Sequence, residues 1–476
     1  MPVRTQEIRT FNALCQRQQA EFLAVYGRRR VGKTYLIRHY FKEKGLYFEL
    51  TGSRGANLST QLQHFANSFS DAFQQGKPIP CPDSWQSAFD TLRKQIADME
   101  TEQRIVLFFD ELPWLASKRS GFLAALEYLW NRYLSQDKRV ILIVCGSAAA
   151  WMIKKVVKDK GGLHGRLTAQ MRLLPFTLQE TESFLQEQGI QWDRAQITDL
   201  YLVIGGVAKY LTYVDPTLSA TQNIDKICFA QNAPLLKEFE QLYASLFESH
   251  TRHIAIIRAL SKKFYGLTKN ELFTAANLSS GGTSSQLLDE LVQSGFIKEI
   301  PWFGKNKHNS LYRLIDQYSM FYLKWIEPNV KDILGNENFW LLTQQTSKAQ
   351  AWAGYAFENI CFQHLQPILK AMGLGAVNTR IATWRKLQGR QRGQIDLIVD
   401  RADKCINLCE IKYVQYPLTI DKQSRTQLQQ RQNLLREETQ TKKSMFHTLI
   451  SPYGEKQSAD TASIFQQQVT LDDLFL

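Results

Sequence analysis

One stretch constrains this chain more than any other. Gly27 to Thr34 reads G-R-R-R-V-G-K-T, a full match to the pattern G-x-x-x-x-G-K-[ST]. Its flanks fit the mechanism of that pattern. Phe22 to Tyr26 is a short apolar run suited to a buried strand, and Thr34 to Phe41 carries Leu36, Ile37 and Tyr40 at helical spacing. A strand, a glycine-bearing turn and a helix start in that order make an anion site from backbone N–H groups and the helix dipole. Gly27, Arg28, Arg29, Arg30, Val31, Gly32, Lys33 and Thr34 are therefore the candidate cradle for ATP. Lys33 is expected to reach the β- and γ-phosphates, and Thr34 to ligate Mg²⁺.

A second run fixes the rest of such a site. Arg104 to Asp110 reads R-I-V-L-F-F-D and is followed by Glu111. Five apolar residues ending in Asp-Glu predict a buried parallel strand that delivers two carboxylates to its C-terminal edge. Asp110 is the expected Mg²⁺ holder, and Glu111 the residue that orients and deprotonates the attacking water. Arg139 to Cys145 is a further apolar strand leading to Gly146-Ser147. Ser147 is a candidate for the space between Glu111 and the γ-phosphate, or part of an ordinary strand-to-helix turn. Arg166 follows a Lys/Gly-rich loop and is a candidate arginine finger, in cis or in trans, or a solvated loop arginine. Repeated strand–helix units around a phosphate loop predict a parallel sheet covered on both faces.

Thr177 to Gln188, Arg194 to Val203 and Gly206 to Tyr213 read as helices of a small lid. From Thr251 the pattern changes to three short helices and a hairpin, Phe296–Ile300 with Leu311–Leu314, which is a winged helix-turn-helix plan. Its recognition-helix candidate, Ser279 to Ser294, contains no Lys or Arg. Packing is as good an account of that helix as base reading, and Lys305 and Lys307 are the wing cations for phosphates. Asp316 to Trp325 is an aromatic-rich helix, and a linker is expected near 328–338. The expected domains are 1–175 (ATPase core), 176–248 (helical lid), 249–327 (winged helix) and 339–476.

The last of these holds a separate pattern. Gly393 to Asp400 and Cys405 to Lys412 read as two strands of a hairpin. The two-residue period puts Glu410 and Lys412 on one face, and a suitable register brings Asp396 beside Glu410. Asp396 and Glu410, with the Ile411 carbonyl, make a hard-oxygen Mg²⁺ site. Lys412 is then placed to orient and activate water against a phosphodiester, and Glu358 is a further metal-side carboxylate. A solvated Glu–Lys face is the bland alternative. The Asp421–Glu437 helix carries Lys422, Arg425, Arg431 and Arg436, which suit a phosphate backbone or solvent.

The net charge of +13 favours a polyanionic partner, with nucleic acid, DNA first, the leading class. No run approaches the ~20 apolar residues of a membrane span, and the N-terminus lacks a signal-peptide core, so the expectation is a cytoplasmic protein with no membrane partner. Seven scattered cysteines without C-x-x-C pairs argue against a disulfide framework or zinc site.

Taken together, the chain resembles the archaeal-type P-loop ATPases, relatives of the AAA+ and STAND NTPases, that carry a C-terminal PD-(D/E)XK nuclease-like domain. The carriers are VYGRRRVGKT (Val25–Thr34), LFFDELPWL (Leu107–Leu115), HGR (His164–Arg166), GGVAKYL (Gly205–Leu211), LYRLIDQYSMFYLKWI (Leu311–Ile326), WAGYAFE (Trp352–Glu358) and Asp396…Glu410-x-Lys412. The family has Pro where this chain has Ala208. The resemblance implies an α/β chain: a P-loop sheet with a helical lid, a winged-helix middle and an α/β nuclease-like end. It also implies that Glu358, Asp396, Glu410 and Lys412 are nuclease residues. The implied function is an ATPase controlling a Mg²⁺-dependent nuclease-like domain, or a regulatory ATPase switch whose C-terminal domain only binds nucleic acid or protein. A homo-oligomer is a further possibility if Arg166 acts in trans.

Overall fold

The computed structural model describes residues 3–117, 119–157, 165–305, 309–330, 338–386, 392–456 and 463–476. Lys307, His164 and most of the expected 328–338 linker lie outside these residues. Met1–Leu174 and Pro175–Leu476 form two compact units.

The first unit is built on a five-stranded sheet: β1 (Glu21–Tyr26), β2 (Gly45–Thr51), β3 (Arg104–Asp110), β4 (Val140–Gly146) and β5 (Ala169–Arg172). The order is β2-β3-β4-β1-β5, with all neighbouring strands parallel. β1, β3 and β4 read as nearly continuous apolar runs because both of their faces are covered. Phe22, Ala24, Leu107, Phe109, Leu142 and Val144 pack into one core. The alternate residues Leu23, Val25, Val106, Phe108, Ile141 and Ile143 pack into the other, with α1 (Thr5–Gln16) and α2 (Lys33–Phe41). Arg104 satisfies open carbonyls at the end of α1, donating to Leu14 (2.8 Å) and Cys15 (3.3 Å). β1 lies between β4 and β5, so consecutive strands β1 and β2 are not neighbours. The chain direction across the sheet reverses at β1, and the strand ends there open a crevice for a ligand.

In the second unit, five helices between Leu178 and Leu246 precede a winged helix. The third expected helix, Gly206–Tyr213, is only one turn, Ala208–Leu211. Gly206 approaches the Phe176 carbonyl so closely that a Cβ would lie 1.9 Å from its oxygen, and the preceding Gly205 has φ +61°, so no helix forms there. Ala208 is the first helical residue, where proline is favoured, so replacing the family's Pro keeps this helix start.

The winged helix consists of His250–Ser261, Lys269–Ala275 and Gly282–Gln293 with β6 (Leu267–Thr268), β7 (Ile297–Pro301) and β8 (Ser310–Leu314) in the antiparallel order β6-β8-β7. The aromatic segment starts as an α-helix, Gln317–Phe321, and widens into a π turn, Tyr322–Ile326.

The C-terminal sheet is β13-β12-β11-β10-β9: β9 (Thr379–Lys386), β10 (Gly393–Arg401), β11 (Cys405–Ile411), β12 (Ser444–Ile450) and β13 (Gln467–Val469). β9, β10 and β11 are antiparallel neighbours. β12 runs parallel to β11, which requires a crossover, supplied by the Lys422–Thr439 helix. The outer edge of β9 is met by Trp302 and Phe303, whose N–H donates to the Thr383 carbonyl at 2.8 Å. This pairing shields an edge that would otherwise invite association.

Buried polar pairs tie the three parts of this unit together. His364 Nε2 accepts from the Leu178 N–H (2.9 Å), Tyr413 Oη donates to Asp199 (2.7 Å), and Arg313 pairs with Glu358 (2.8 Å). Burial lowers the His364 pKa to about 4, so it stays neutral and can accept.

Candidate functional site

The first site lies at the C-terminal ends of β1, β3 and β4. Gly27 has φ +154°, and a Cβ on it would lie 2.1 Å from the Leu173 carbonyl oxygen, so only glycine fits. Gly32, φ +90°, is the N-cap of α2. Lys33 is buried at the first helical position, and its ammonium donates to the carbonyls of Gly27 (2.9 Å) and Arg28 (2.9 Å) and to Ser147 Oγ (3.1 Å). The Thr34 hydroxyl donates to Asp110 at 2.7 Å. The Glu111 N–H donates to the other Asp110 oxygen at 2.9 Å. Glu111 itself sits at φ +47°, a strained value for a side chain this size. Its carboxylate accepts from Ser147 Oγ (2.6 Å) and Ser147 N–H (3.3 Å).

Lys33, Ser147 and Glu111 thus form one chain, and Thr34 and Asp110 another beside it. These are the groups that phosphate and Mg²⁺ require, already gathered. The arginines of the loop do other things. The Arg28 side chain is buried, Arg29 lies over the Trp114 ring at 5.8 Å, and Arg30 takes φ +71°.

Arg166 is exposed in the turn before β5. β5 is parallel to β1, with Leu23 beside Ala169 and Tyr26 beside Arg172. Arg166 therefore lies at the strands' N-terminal edge, opposite the phosphate loop. The cis reading of this residue is corrected: a strand length, roughly 15–20 Å, separates it from the loop of its own chain.

The second site is in the C-terminal sheet. Leu397 pairs with Cys409, so Asp396 falls opposite Glu410. Glu358, on the Ser347–Gln363 helix, is close enough that its charge and that of Glu410 act on Asp396. The structure therefore brings Glu358, Asp396, Glu410 and Lys412 together. Their partners differ from expectation. Glu410 accepts from Lys412 on one oxygen (2.9 Å) and from Arg431 on the other (2.9 Å). Glu358 is buried and paired with Arg313, which also donates to Asn359 at 2.6 Å. Glu358, the further metal-side carboxylate of the sequence reading, is thus engaged by a buried guanidinium in this structure. Among the described residues, no group of three or more His, Cys, Asp or Glu is arranged to hold a metal ion.

Burial, then the Glu358 and Glu410 charges, push Asp396 up to about 7, against a Gln394 hydrogen bond of 2.9 Å. A carboxyl destabilised by burial and like charges is what a divalent cation relieves, so Asp396 and Glu410 fit Mg²⁺ once Glu410 is freed of a cation. Burial lowers the Lys412 ammonium, but Glu410 outweighs it and holds the group above its usual value. Lys412 therefore keeps its charge at neutral pH.

The Asp396 shift carries a stability prediction. A carboxyl raised in the folded state binds protons more tightly there, so rising pH between about 4 and 7 weakens the fold. Asp396→Asn is expected to unfold later than the parent at pH 8 in EDTA, by on the order of a few kcal/mol, and at the parent's temperature near pH 4. Added Mg²⁺ should stabilise the parent and not the variant. Thermal unfolding across pH checks this; equal stability at pH 8 would show that Asp396 carries no such strain.

Sequence reading gave Arg313 no role, although it lies in the Leu311–Ile326 motif, because its partner Glu358 stands 45 positions further on. It read Arg431 as facing a phosphate backbone or solvent, without its Glu410 partner. It also missed the Asp199–Tyr413 contact, since neither residue belongs to a recognisable pattern. His447, buried with Nε2 unpartnered, lines a small cavity with Glu410, Arg431 and Gln432.

Comparison with known proteins adds the following. Residues 3–214 match a family described as an ATPase domain predominantly from Archaea. Residues 322–428 match DUF234, described as archaeal and bacterial proteins of unknown function. An uncharacterized protein of Methanocaldococcus jannaschii is 24% identical over 419 residues, covering 86% of this chain and 87% of that protein. Similar solved structures include the Walker-type ATPase of Pyrococcus abyssi (16% identity, 67% of this chain, 95% of that chain, TM-score 0.49). Another is the Aeropyrum pernix ORC2 protein in ADPNP–ADP complexes (14% identity, 70% and 94%, TM-score 0.43). Among the described residues, no helix is long and apolar enough to cross a membrane.

Proposed function

We propose that this chain, whose residues 3–214 match an archaeal ATPase-domain family and whose residues 322–428 match DUF234, hydrolyses ATP at Gly27–Thr34 and that this ATPase governs a nuclease-like, Mg²⁺-dependent phosphodiester site acting on DNA. The observation that carries the first half is the Thr34–Asp110 contact of 2.7 Å beside a buried Lys33. With ATP in place, loop N–H groups meet the phosphates. Lys33 turns from the Gly27 and Arg28 carbonyls to the β- and γ-oxygens. Thr34 and Asp110 would hold Mg²⁺, which would supply charge neutralisation at the phosphate oxygens. Glu111 releases Ser147 and takes the proton of the attacking water. Ser147 touches both Lys33 and Glu111, so it is placed to link γ-phosphate occupancy to that release.

Arg166 acts, on this reading, on the phosphate of a neighbouring copy. The ATPase rate per chain is then expected to rise with protein concentration, and to fall in Arg166→Ala while nucleotide binding persists. A rate independent of concentration would remove the trans role.

In the C-terminal site, Asp396 and Glu410 would hold Mg²⁺, and Lys412 would orient water against the phosphodiester. This requires Glu410 to exchange Lys412 or Arg431 for the metal. Tyr413, next to Lys412, reaches Asp199 on the Arg194–Ile204 helix, a route by which the helical segment bears on this site.

A second reading is favoured by the same ion pairs. Cations occupy both Glu410 oxygens and one of Glu358, which suits a regulatory ATPase whose C-terminal domain binds without cutting. Cleavage of supercoiled plasmid with Mg²⁺ or Mn²⁺, with and without ATP, separates the two. Nicking supports the nuclease; intact plasmid under every condition supports the binding module.

A further inference from the structure

Two loops leave the sheet at the edge where Lys412 stands. One follows β11 and the other follows β12, and these strands are parallel neighbours. The Lys412 N–H donates to the Ile450 carbonyl (2.9 Å), so the loops start side by side. They are then joined by backbone bonds, Leu418 N–H to Gly454 O (2.8 Å) and Lys456 N–H to Leu418 O (2.9 Å). Each loop carries a tyrosine facing solvent: Tyr416 is 79% exposed and Tyr453 44% exposed. Tyr413, directly after Lys412, is spent inward on Phe357 (ring centroids 4.9 Å) and Asp199.

The backbone holds these rings in place. Pro417 restricts Tyr416 to extended conformations. Gly454 takes φ +66°, where a Cβ would lie 2.7 Å from Gln468 Oε1, so the turn after Tyr453 is fixed. Lys412, Lys422 and Lys456 are exposed along the same edge. Of its acids, Glu410 is paired with Lys412 and Arg431, Asp421 caps the Lys422–Thr439 helix, and Glu455 accepts from Ser463. The edge therefore shows two flat rings beside the exposed ammonium groups of Lys422 and Lys456.

We propose that Tyr416 and Tyr453 form a stacking platform for unpaired nucleotides, which makes this edge a single-strand binding surface. The inference rests on the reading of the C-terminal domain as a nucleic-acid site. Paired bases keep their faces inside the helix, whereas every unpaired base offers one, and lysines beside aromatic rings serve the backbone and base of a single strand together.

The test is fluorescence anisotropy of the full chain in EDTA with a labelled single-stranded oligonucleotide and with its duplex. Tyr416→Ala is expected to weaken single-strand binding about tenfold to a hundredfold and duplex binding less than twofold. Tyr453→Ala should act in the same direction, and Tyr416→Phe should bind like the parent, because the ring and not the hydroxyl does the stacking. At 79% exposure Tyr416 supports no core, and an unchanged unfolding temperature verifies that. Unaltered single-strand binding in Tyr416→Ala, equal loss on both probes, or a Phe variant as weak as Ala each overturns the platform while nucleic-acid binding stands. A parent chain that binds neither probe overturns the nucleic-acid reading itself, and the platform with it.

Discussion

Lys33→Ala is expected to abolish ATP turnover, with phosphate release falling by at least about 100-fold, the usual cost of deleting one preorganised charge-stabilising donor. It should also remove the stabilisation that nucleotide gives. A ligand at 100 times its Kd raises stability by about 2.7 kcal/mol, so the unfolding temperature of the parent should climb with ATP and Mg²⁺ while that of the variant stays flat. The reason is local. The Lys33 ammonium now spends its hydrogens on Gly27 O, Arg28 O and Ser147 Oγ, and none of these is beyond a side-chain rotation from the phosphates the loop would cradle. Glu111→Gln makes the contrasting case. It keeps the loop and the Thr34–Asp110 pair, so nucleotide should still stabilise it. Turnover should fall by about 100-fold to 10,000-fold, the range for a lost general base. Wild-type turnover in Lys33→Ala would refute the site; wild-type turnover in Glu111→Gln would refute only the role of that carboxylate.

Lys412→Ala is expected to lose plasmid cleavage by about a thousandfold or more, on the scale of a lost catalytic group, yet to bind Mg²⁺ or Mn²⁺ more tightly than the parent. The two effects part because Lys412 has two positions to fill. It is the cation meant to orient water at the metal, and at rest it occupies one Glu410 oxygen at 2.9 Å. Removing it frees that oxygen for the metal and leaves the water without its guide. Plasmid nicking reads the first effect, and metal-dependent unfolding temperature reads the second. Cleavage as fast as the parent's would end the nuclease assignment. Metal binding weaker than the parent's would mean that Lys412 supports Glu410 rather than competing for it.

Much of this was legible in the chain itself. The phosphate loop is a contiguous motif whose geometry follows from its glycines: Gly27 and Gly32 both occupy positive φ. Strands β1, β3 and β4 announce themselves by apolar runs, and the structure divides their alternate residues between two cores; β5, Ala-Gln-Met-Arg, carries no such run and went unread. The winged helix was visible from its helix lengths and hairpin. Helix ends were less so. The expected Gly206–Tyr213 helix shrank to one turn because Gly206 packs on the Phe176 carbonyl, a contact across thirty residues with no local signature.

The amino-acid sequence by itself determined the backbone-level features: where the loop, the strands and the Asp396…Glu410-x-Lys412 pattern lie, and hence which chemistry is present. Those features follow from spacings of a few residues, which local geometry alone converts into faces and turns. Tertiary structure alone decided who partners whom. It set the register of β10 on β11 that places Asp396 opposite Glu410, and put Arg431 and Arg313 on the two other carboxylates. It carried Arg166 to the edge opposite the loop and aimed Tyr413 inward while Tyr416 stayed outside. Each of these depends on segments tens of residues apart meeting in a packed interior, where burial sets the worth of a charge and no short pattern records it.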